Sequence, residues 1–195
     1  MANHSGIQLF VGLGNPGAQY AATRHNAGFW WIDSVAAGNG CKLLHESKFS
    51  GDAGRLKIHA NEAWLLKPAT FMNKSGRAVA ALANFYKIPP EAILVIHDEL
   101  DLPAGSIKLK KGGGHGGHNG LRDSIAAVGA DFWRLRLGIG HPGHKDQVLD
   151  YVLQRASAAD EQCINEAILK SADLLPVLLF EGAEKAMNRL HTQDQ

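Results

Sequence analysis

Two short, unbroken runs of apolar residues constrain the fold of this chain most strongly. Ile7–Leu13 and Ile93–His97 are rich in Ile, Val, Leu and Phe, and the first run closes on Gly-Asn-Pro-Gly. Runs of this length that end in turn residues are typical of buried strands. We therefore expect both runs to lie inside a sheet.

Segments with helical periodicity alternate with further strands. Arg55–Ala60 and Ala63–Lys67 predict a hairpin, Ile107–Leu109 an edge strand, and Trp133–Ile139 a half-exposed strand. This alternation predicts an α/β fold, a single domain over residues 1–195 with a twisted mixed β-sheet flanked by helices and closing on C-terminal helices. The predicted helices are Phe29–Ala37, Gly76–Tyr86, about Leu121–Val128, and two helices within Ala158–His191 that break near Leu175-Pro176.

Composition narrows the class of protein. A chain of 195 residues can bury enough surface to fold without disulfides. Cys41 and Cys163 have no CxxC spacing, which fits inert thiols in a reducing compartment. The N-terminal sequence lacks the features of a signal peptide, and no apolar run approaches the roughly 18 residues of a spanning helix. We expect a cytoplasmic protein without a membrane segment.

Charge is concentrated in one stretch, although the net charge of the chain is only +1. Between Ser106 and Lys145 there are seven basic and two acidic residues. Such a stretch could bind phosphates, or it could be an ordinary solvated face.

Polar side chains follow several of the predicted strands. In open α/β sheets, ligands bind beyond the carboxyl ends of parallel strands, so these residues are expected to converge on one site. Each alone could be a turn or structural residue, and the inference depends on their equivalent positions. They are Asn15, His25, Asn73, Asp98, His118 and Asn119.

This residue set suits the hydrolysis of an ester by water. A histidine with a pKa of about 6.5 can accept a proton from water at neutral pH. An aspartate on its other ring nitrogen would fix the tautomer and stabilise the imidazolium. Asparagine amides could donate to the oxyanion, each contributing on the order of 3 kcal/mol.

Other motifs point to other chemistries. Gly12-x-Gly14-x-x-Gly17 matches a dinucleotide fingerprint and leaves a dehydrogenase as an alternative, but Pro16 removes a backbone donor that a pyrophosphate needs. A non-catalytic RNA-binding module is a further alternative, since it would share the basic stretch. No GxSxG elbow is present, so attack by water is favoured over covalent catalysis.

Two histidine pairs raise the question of a metal. His115-x-x-His118 lies among glycines, and neither it nor His141-x-x-His144 has the tighter ligand set of a zinc site. We expect no metal and no cofactor. The glycine-rich loop at 112–120 could let a bulky ligand approach, and the N–H groups of the next helix could face an anion.

Five sequence blocks closely resemble the bacterial peptidyl-tRNA hydrolase family. The likeness spans nearly the whole chain, including the C-terminal helices. Ala69 and Lys74 depart from the family pattern in the second block, at positions that are not proposed to be catalytic, and bear on the peptide preference more than on the activity. The blocks are GLGNPGAQYAATRHNAG at 12–28, KPATFMNKSG at 67–76, HDELDLPAG at 97–105, GGGHGGHNGLRDS at 112–124 and RLRLGIGHPG at 134–143.

The resemblance implies a role for each matching residue. His25 matches the catalytic base, Asp98 the acid that holds it in its basic form, and Asn15 the residue that distinguishes blocked from free aminoacyl-tRNA. It also implies a metal-free cytosolic monomer whose partner is peptidyl-tRNA, bound at its acceptor end and 3′-terminal ribose. Residues that match positions for contact with the peptide or tRNA are Tyr20, Phe71, Met72, Asn73, His118, Asn119, Lys108, Lys110, Lys111, Arg134 and Arg136.

Overall fold

The computed structural model describes residues 6–192, which form a seven-stranded mixed sheet with helices on both faces. The strands are β1 (Leu9–Gly12), β2 (Leu44–Glu46), β3 (Gly51–Ile58), β4 (Asn61–Pro68), β5 (Ile93–Glu99), β6 (Ile107–Lys111) and β7 (Trp133–Gly138). Their order across the sheet is β2-β3-β4-β1-β5-β7-β6. The predicted α/β fold with a mixed sheet is therefore confirmed.

The four central strands, β4, β1, β5 and β7, run parallel. Leu9 pairs with Trp64 on one side and with Ile93 on the other. The outer pairings, of β2 with β3, β3 with β4 and β6 with β7, are antiparallel. Because the parallel strands end at the same edge, the loops that follow them meet there. We expected this from the polar residues that follow the strands in the sequence.

The helices divide between the two faces of the sheet. On β1, Phe10 packs into the larger core with the helix Ala27–Gly38 and the C-terminal helices, whereas Leu9 and Val11 pack on the opposite side with the helices Ser75–Phe85 and Asn119–Val128. This is the two-residue alternation of a strand. The helices are α1 (Ala27–Gly38), α2 (Ser75–Phe85), α3 (Asn119–Val128), α4 (Val148–Val152), α5 (Ala158–Ala172), α6 (Leu175–Phe180) and α7 (Ala183–Thr192).

Two predictions about elements were wrong. The tail forms three helices rather than two, because besides the predicted break near Leu175-Pro176 there is a second break at Gly182, where a φ of 95° ends α6 before α7 begins. Trp133–Ile139 was expected to be half exposed, but β7 lies between β5 and β6 and most of its residues are buried. None of the described helices is long and apolar enough to cross a membrane.

A glycine contact brings α1 directly onto the sheet. A Cβ atom on Gly28 would lie 2.4 Å from the carbonyl oxygen of Ile96, and one on Gly12 would lie 2.3 Å from that of Gly28. Side chains at these positions would push the helix away from the strands. The contact therefore sets the start of α1, and with it His25, close to the end of β5.

Candidate active site

A buried carboxylate near the carboxyl end of β5 joins two histidines. The Nδ1 atom of His25 lies 2.8 Å from Oδ2 of Asp98, and Nε2 of His118 lies 2.8 Å from Oδ1 of the same residue. Only 3% of the surface of Asp98 is exposed. We call His25, Asp98 and His118 the carboxylate cluster.

Hydrogen bonds fix the tautomer of His118. Its Nδ1 accepts from the backbone N–H groups of Gly120 and Leu121, at 3.2 and 3.3 Å, and so caps α3. An accepting Nδ1 carries no proton, so Nε2 carries it and donates to Asp98. The expectation that the N–H groups of this helix could face an anion was wrong for these two residues, since His118 already binds them.

His25 is oriented differently from His118. Its Nδ1–H donates to Asp98, which leaves the lone pair of Nε2 available at the opposite side of the ring. The segment that carries it is held by Arg24, whose side chain donates to the carbonyl oxygen of Tyr151 at 3.0 Å and stacks on that ring. His25 therefore has the geometry of a fixed base.

The pKa values agree with this division of roles. Burial lowers the pKa of His25, but the charge and hydrogen bond of Asp98 outweigh burial and raise it above 6.5. Burial would raise the pKa of Asp98, yet the two histidines hold it well below its usual range. His97, fully buried next to the cluster, has its pKa lowered to about 3, chiefly by burial, and stays neutral.

The cluster opens into a cavity of about 550 Å³ at the edge of the sheet. Asn119 lines this cavity, as do Lys110, Arg134 and Arg136. One wall that the sequence did not indicate comes from α4 and the segment before it. The lining residues of that wall are His141, Lys145, Val148, Leu149 and Val152.

The second part of the site is centred on Asn15. Oδ1 of Asn15 accepts from the backbone N–H of Met72 at 2.7 Å. Within residues 6–192 no partner binds its Nδ2 group, so the amide N–H bonds are the part of the side chain left for a ligand. A Cβ on Gly120 would lie 2.5 Å from Sδ of Met72 and 3.2 Å from Cε1 of His118, so the two parts of the site meet at Gly120.

The aromatic residues predicted to contact the tRNA end lie together. The rings of Tyr20 and Phe71 meet edge to face with their centroids 6.4 Å apart. Phe71 is 56% exposed, so its ring can stack with a ligand. Asn73, in the short 3-10 helix Met72–Lys74, is exposed but lies outside the lining of the cavity.

The predicted basic surface is only partly as expected. Lys108 lies opposite Arg136 and Lys110 opposite Arg134 in the antiparallel pair of β6 and β7, so these four residues share one side of that pair, which we call the basic face. Lys111 lies on the other side by strand alternation, with Nζ 6.0 Å from the centre of the Trp133 ring. Lys111 therefore does not belong with the basic face.

Arg134 was predicted to contact tRNA phosphates at the surface, and its position in the structure contradicts that prediction. It is 4% exposed, and its guanidinium donates to the carbonyl oxygens of Gly113 and Gly114. It is buried because β7 is an inner strand of the sheet. Its role in the structure is to hold the glycine-rich loop, whereas Arg136 pairs with Glu99 at 2.9 Å and stays partly exposed.

Among the described residues, the cluster also brings three possible metal ligands together. The ligand atoms of His25, Asp98 and His118 lie within 4.8 Å of one another. A cation there would have to displace the N–H donors that now occupy both oxygens of Asp98. The observed arrangement fits an orienting carboxylate better than a metal site.

Comparisons with known proteins agree with the geometry. A family model described as "Peptidyl-tRNA hydrolase" matches residues 9–195. A peptidyl-tRNA hydrolase of Methylobacillus flagellatus is 62% identical over 190 residues, 97% of this chain and 98% of that protein. One from Vibrio cholerae is 56% identical over 188 residues, 95% of this chain and 96% of that protein.

Solved structures give the same picture. A crystal structure of peptidyl-tRNA hydrolase from Acinetobacter baumannii superposes with a TM-score of 0.93 at 47% identity, covering 97% of each chain. A complex of peptidyl-tRNA hydrolase with N-propanol also has a TM-score of 0.93, at 48% identity. Both the sequence and the arrangement of the strands are thus shared over almost the full length.

Proposed function

The chain belongs to the peptidyl-tRNA hydrolase family, and on that premise we propose that it hydrolyses the ester bond between a peptide and its tRNA, with His25 as general base. The observation that carries the assignment is the bond from Nδ1 of His25 to Asp98. It directs the unprotonated Nε2 away from the carboxylate, where it can take a proton from water.

The reaction follows from these protonation states. Water loses a proton to Nε2 of His25 as its oxygen attacks the ester carbonyl, and Asp98 stabilises the imidazolium that forms. The tetrahedral intermediate then collapses, and the proton on His25 passes to the departing ribose oxygen. The products are a free peptide carboxyl group and a tRNA with a free 3′-terminal ribose, and no covalent enzyme intermediate forms.

Asparagines supply the polar contacts of this mechanism. We assign the stabilisation of the oxyanion to Asn119, because Asn119 lines the same cavity as His25 and Asp98. Asn73 is better placed for the peptide backbone farther from the cluster. The exposed edge of the pair formed by Tyr20 and Phe71 would meet the tRNA end.

Asn15 would select substrates with a blocked amino group. Its Oδ1 is taken by the N–H of Met72, so its amide donates rather than accepts. The acceptor for that donor would be the carbonyl oxygen of the first peptide bond. A free aminoacyl-tRNA has no such bond, so it would lose this contact and be spared.

The partner is peptidyl-tRNA, bound through its acceptor end, and the acting species is a monomer. Every residue of the proposed mechanism comes from one chain, so the site does not need a second copy. We place the reaction in the cytoplasm, where a tRNA substrate is produced and used by translation.

The test compares His25→Ala with the unaltered enzyme on N-acetyl-aminoacyl-tRNA, with EDTA present. Loss of the general base should lower kcat roughly 10²- to 10⁴-fold with little change in tRNA affinity. His141→Ala is the matched control, since this histidine lines the same cavity without contacting Asp98. Unchanged turnover in His25→Ala would refute the assignment, and activity that disappears with EDTA would favour a metal enzyme.

A further inference from the structure

Asn26 is a buried side chain that connects the two parts of the site. It follows His25 in the chain, and 1% of its surface is exposed. Both of its side-chain hydrogen bonds go to the backbone of Asn15. Its Oδ1 accepts from the N–H of Asn15 at 2.8 Å, and its Nδ2 donates to the carbonyl oxygen of Asn15 at 2.9 Å.

These bonds do for Asn15 what a neighbouring strand does for a strand residue. Asn15 lies beyond Gly12, where β1 ends, so its N–H and carbonyl groups have no partner in the sheet. The primary amide of Asn26 offers one acceptor and one donor side by side, as a peptide group does. Pro16 restricts Asn15 further, since a residue before proline is confined to extended conformations.

The backbone and the side chain of Asn15 are therefore held by different partners. Asn26 fixes the main chain, and the N–H of Met72 fixes the side-chain carbonyl group. What remains is an amide N–H donor whose direction is set by the protein. Because Asn26 leads from His25 into α1, one short segment carries the base and also holds the donor.

We propose that Asn26 is a positioning residue for substrate selection. It sets the distance between the Asn15 amide and Nε2 of His25. The amide can then bind the first peptide carbonyl of a substrate while its ester carbonyl lies within reach of the water that His25 activates. The inference rests on the proposed function, in which Asn15 contacts the blocked end of the substrate. Asn26 itself does not touch the substrate.

The experiment measures selectivity in Asn26→Ala. The ratio of kcat/KM for N-acetyl-aminoacyl-tRNA to kcat/KM for aminoacyl-tRNA should fall about tenfold, the equivalent of one lost hydrogen bond. Asn15→Ala should lower the same ratio, and the double variant should lower it no further than Asn15→Ala alone. The pH at which kcat/KM is half maximal should stay unchanged, because the bond between His25 and Asp98 is not altered.

Ser171→Ala is the matched control. The change removes the buried hydrogen bond between α1 and α5 in which Nε1 of Trp31 donates to Oγ of Ser171 at 2.8 Å. Ser171 lies away from Asn15. The change should lower Tm and leave the selectivity ratio unchanged. If Asn26→Ala does not fold, Asn26→Ser keeps a small polar group and allows the same comparison.

Three results would overturn the inference. A ratio that stays at the wild-type value in Asn26→Ala, with Tm lowered as in Ser171→Ala, would make Asn26 purely structural. A shifted pH profile with equal losses on both substrates would mean that Asn26 acts on His25. If the ratio also stays unchanged in Asn15→Ala, the proposed role of Asn15 fails first and the inference fails with it.

Discussion

The carboxylate cluster and most of the basic face line the same cavity, yet they are built in opposite ways. In the cluster, each oxygen of Asp98 binds one histidine, and each bonded nitrogen of His25 and His118 acts only as a donor or only as an acceptor. In the basic face, charge is spread over the last two strands of the sheet, from Lys108 and Lys110 on β6 to Arg136 on β7. The cluster is suited to a reaction and the basic face to a diffuse anionic partner.

Burial explains why the two regions should respond differently to solution conditions. Charges within the buried cluster are poorly screened, so salt should change the chemical step little. Exposed cations interact weakly one by one and lose their effect as ionic strength rises. We therefore expect the cluster to control kcat and its pH dependence, and the basic face to control KM and its salt dependence.

The largest effect is expected from Asp98→Asn. His118 must donate through Nε2, because its Nδ1 caps α3, so it draws the new amide oxygen toward itself. The amide N–H groups then face His25 and force it to accept through Nδ1, which places its proton on Nε2, where the base should be. Turnover should fall about 10⁴-fold, as it does when a catalytic triad loses its aspartate.

Single-turnover hydrolysis of N-acetyl-aminoacyl-tRNA would measure this loss. Asp101→Asn removes the same charge from another residue of the cavity lining and should stay close to wild type. A loss of less than tenfold in Asp98→Asn would show that the tautomer of His25 does not matter. The cluster would then differ from the basic face only in its burial.

A smaller effect is expected from reversing a charge on the basic face. Lys110→Glu should raise KM and reduce the slope of log affinity against log salt by about one unit, the loss of one phosphate contact. Lys111→Glu is its matched control, since Lys111 lies on the other side of β6 over Trp133. Both changes should leave kcat unaltered, because neither residue touches the carboxylate cluster.

Filter binding of tRNA over a range of salt concentrations would separate the two variants. Equal slopes in Lys110→Glu and Lys111→Glu would contradict a directional basic face. They would favour a general attraction between tRNA and the whole charged stretch. A lower kcat in Lys110→Glu would instead connect the basic face to the chemistry.

Much of the fold follows from sequence because the apolar periodicity is strong. The central strands and α1 were predicted within a few residues, since continuous apolar runs and turn residues mark them clearly. The short strand Leu44–Glu46 and helix Val148–Val152 were missed, because elements of three and five residues carry too little periodicity. The break at Gly182 between α6 and α7 was missed as well, because a single glycine is a weak signal inside a helical pattern.

The sequence predicted which residues lie at the site more reliably than it predicted the contacts that each of them makes. Parallel strands that end at one edge explain why His25 and Asp98 meet, but strand order cannot be read from local sequence. His118 follows the antiparallel strand β6, which ends at the opposite edge, so the glycine-rich loop brings it back to Asp98. The burial of Arg134 depends on β7 lying inside the sheet, so its charge misled the prediction. Asn26 was overlooked because an asparagine before a helix is usually a cap.

The most direct test of the account is the pH dependence of kcat/KM for the unaltered enzyme on N-acetyl-aminoacyl-tRNA. Only neutral His25 can act as a base, so activity should rise with pH and be lost as pH falls through the pKa of His25. Since Asp98 raises that pKa, the midpoint should lie above 6.5, with a tenfold loss per pH unit below it. A midpoint at or below 6.5, or a flat profile between about pH 5.5 and 8, would contradict a base held by Asp98.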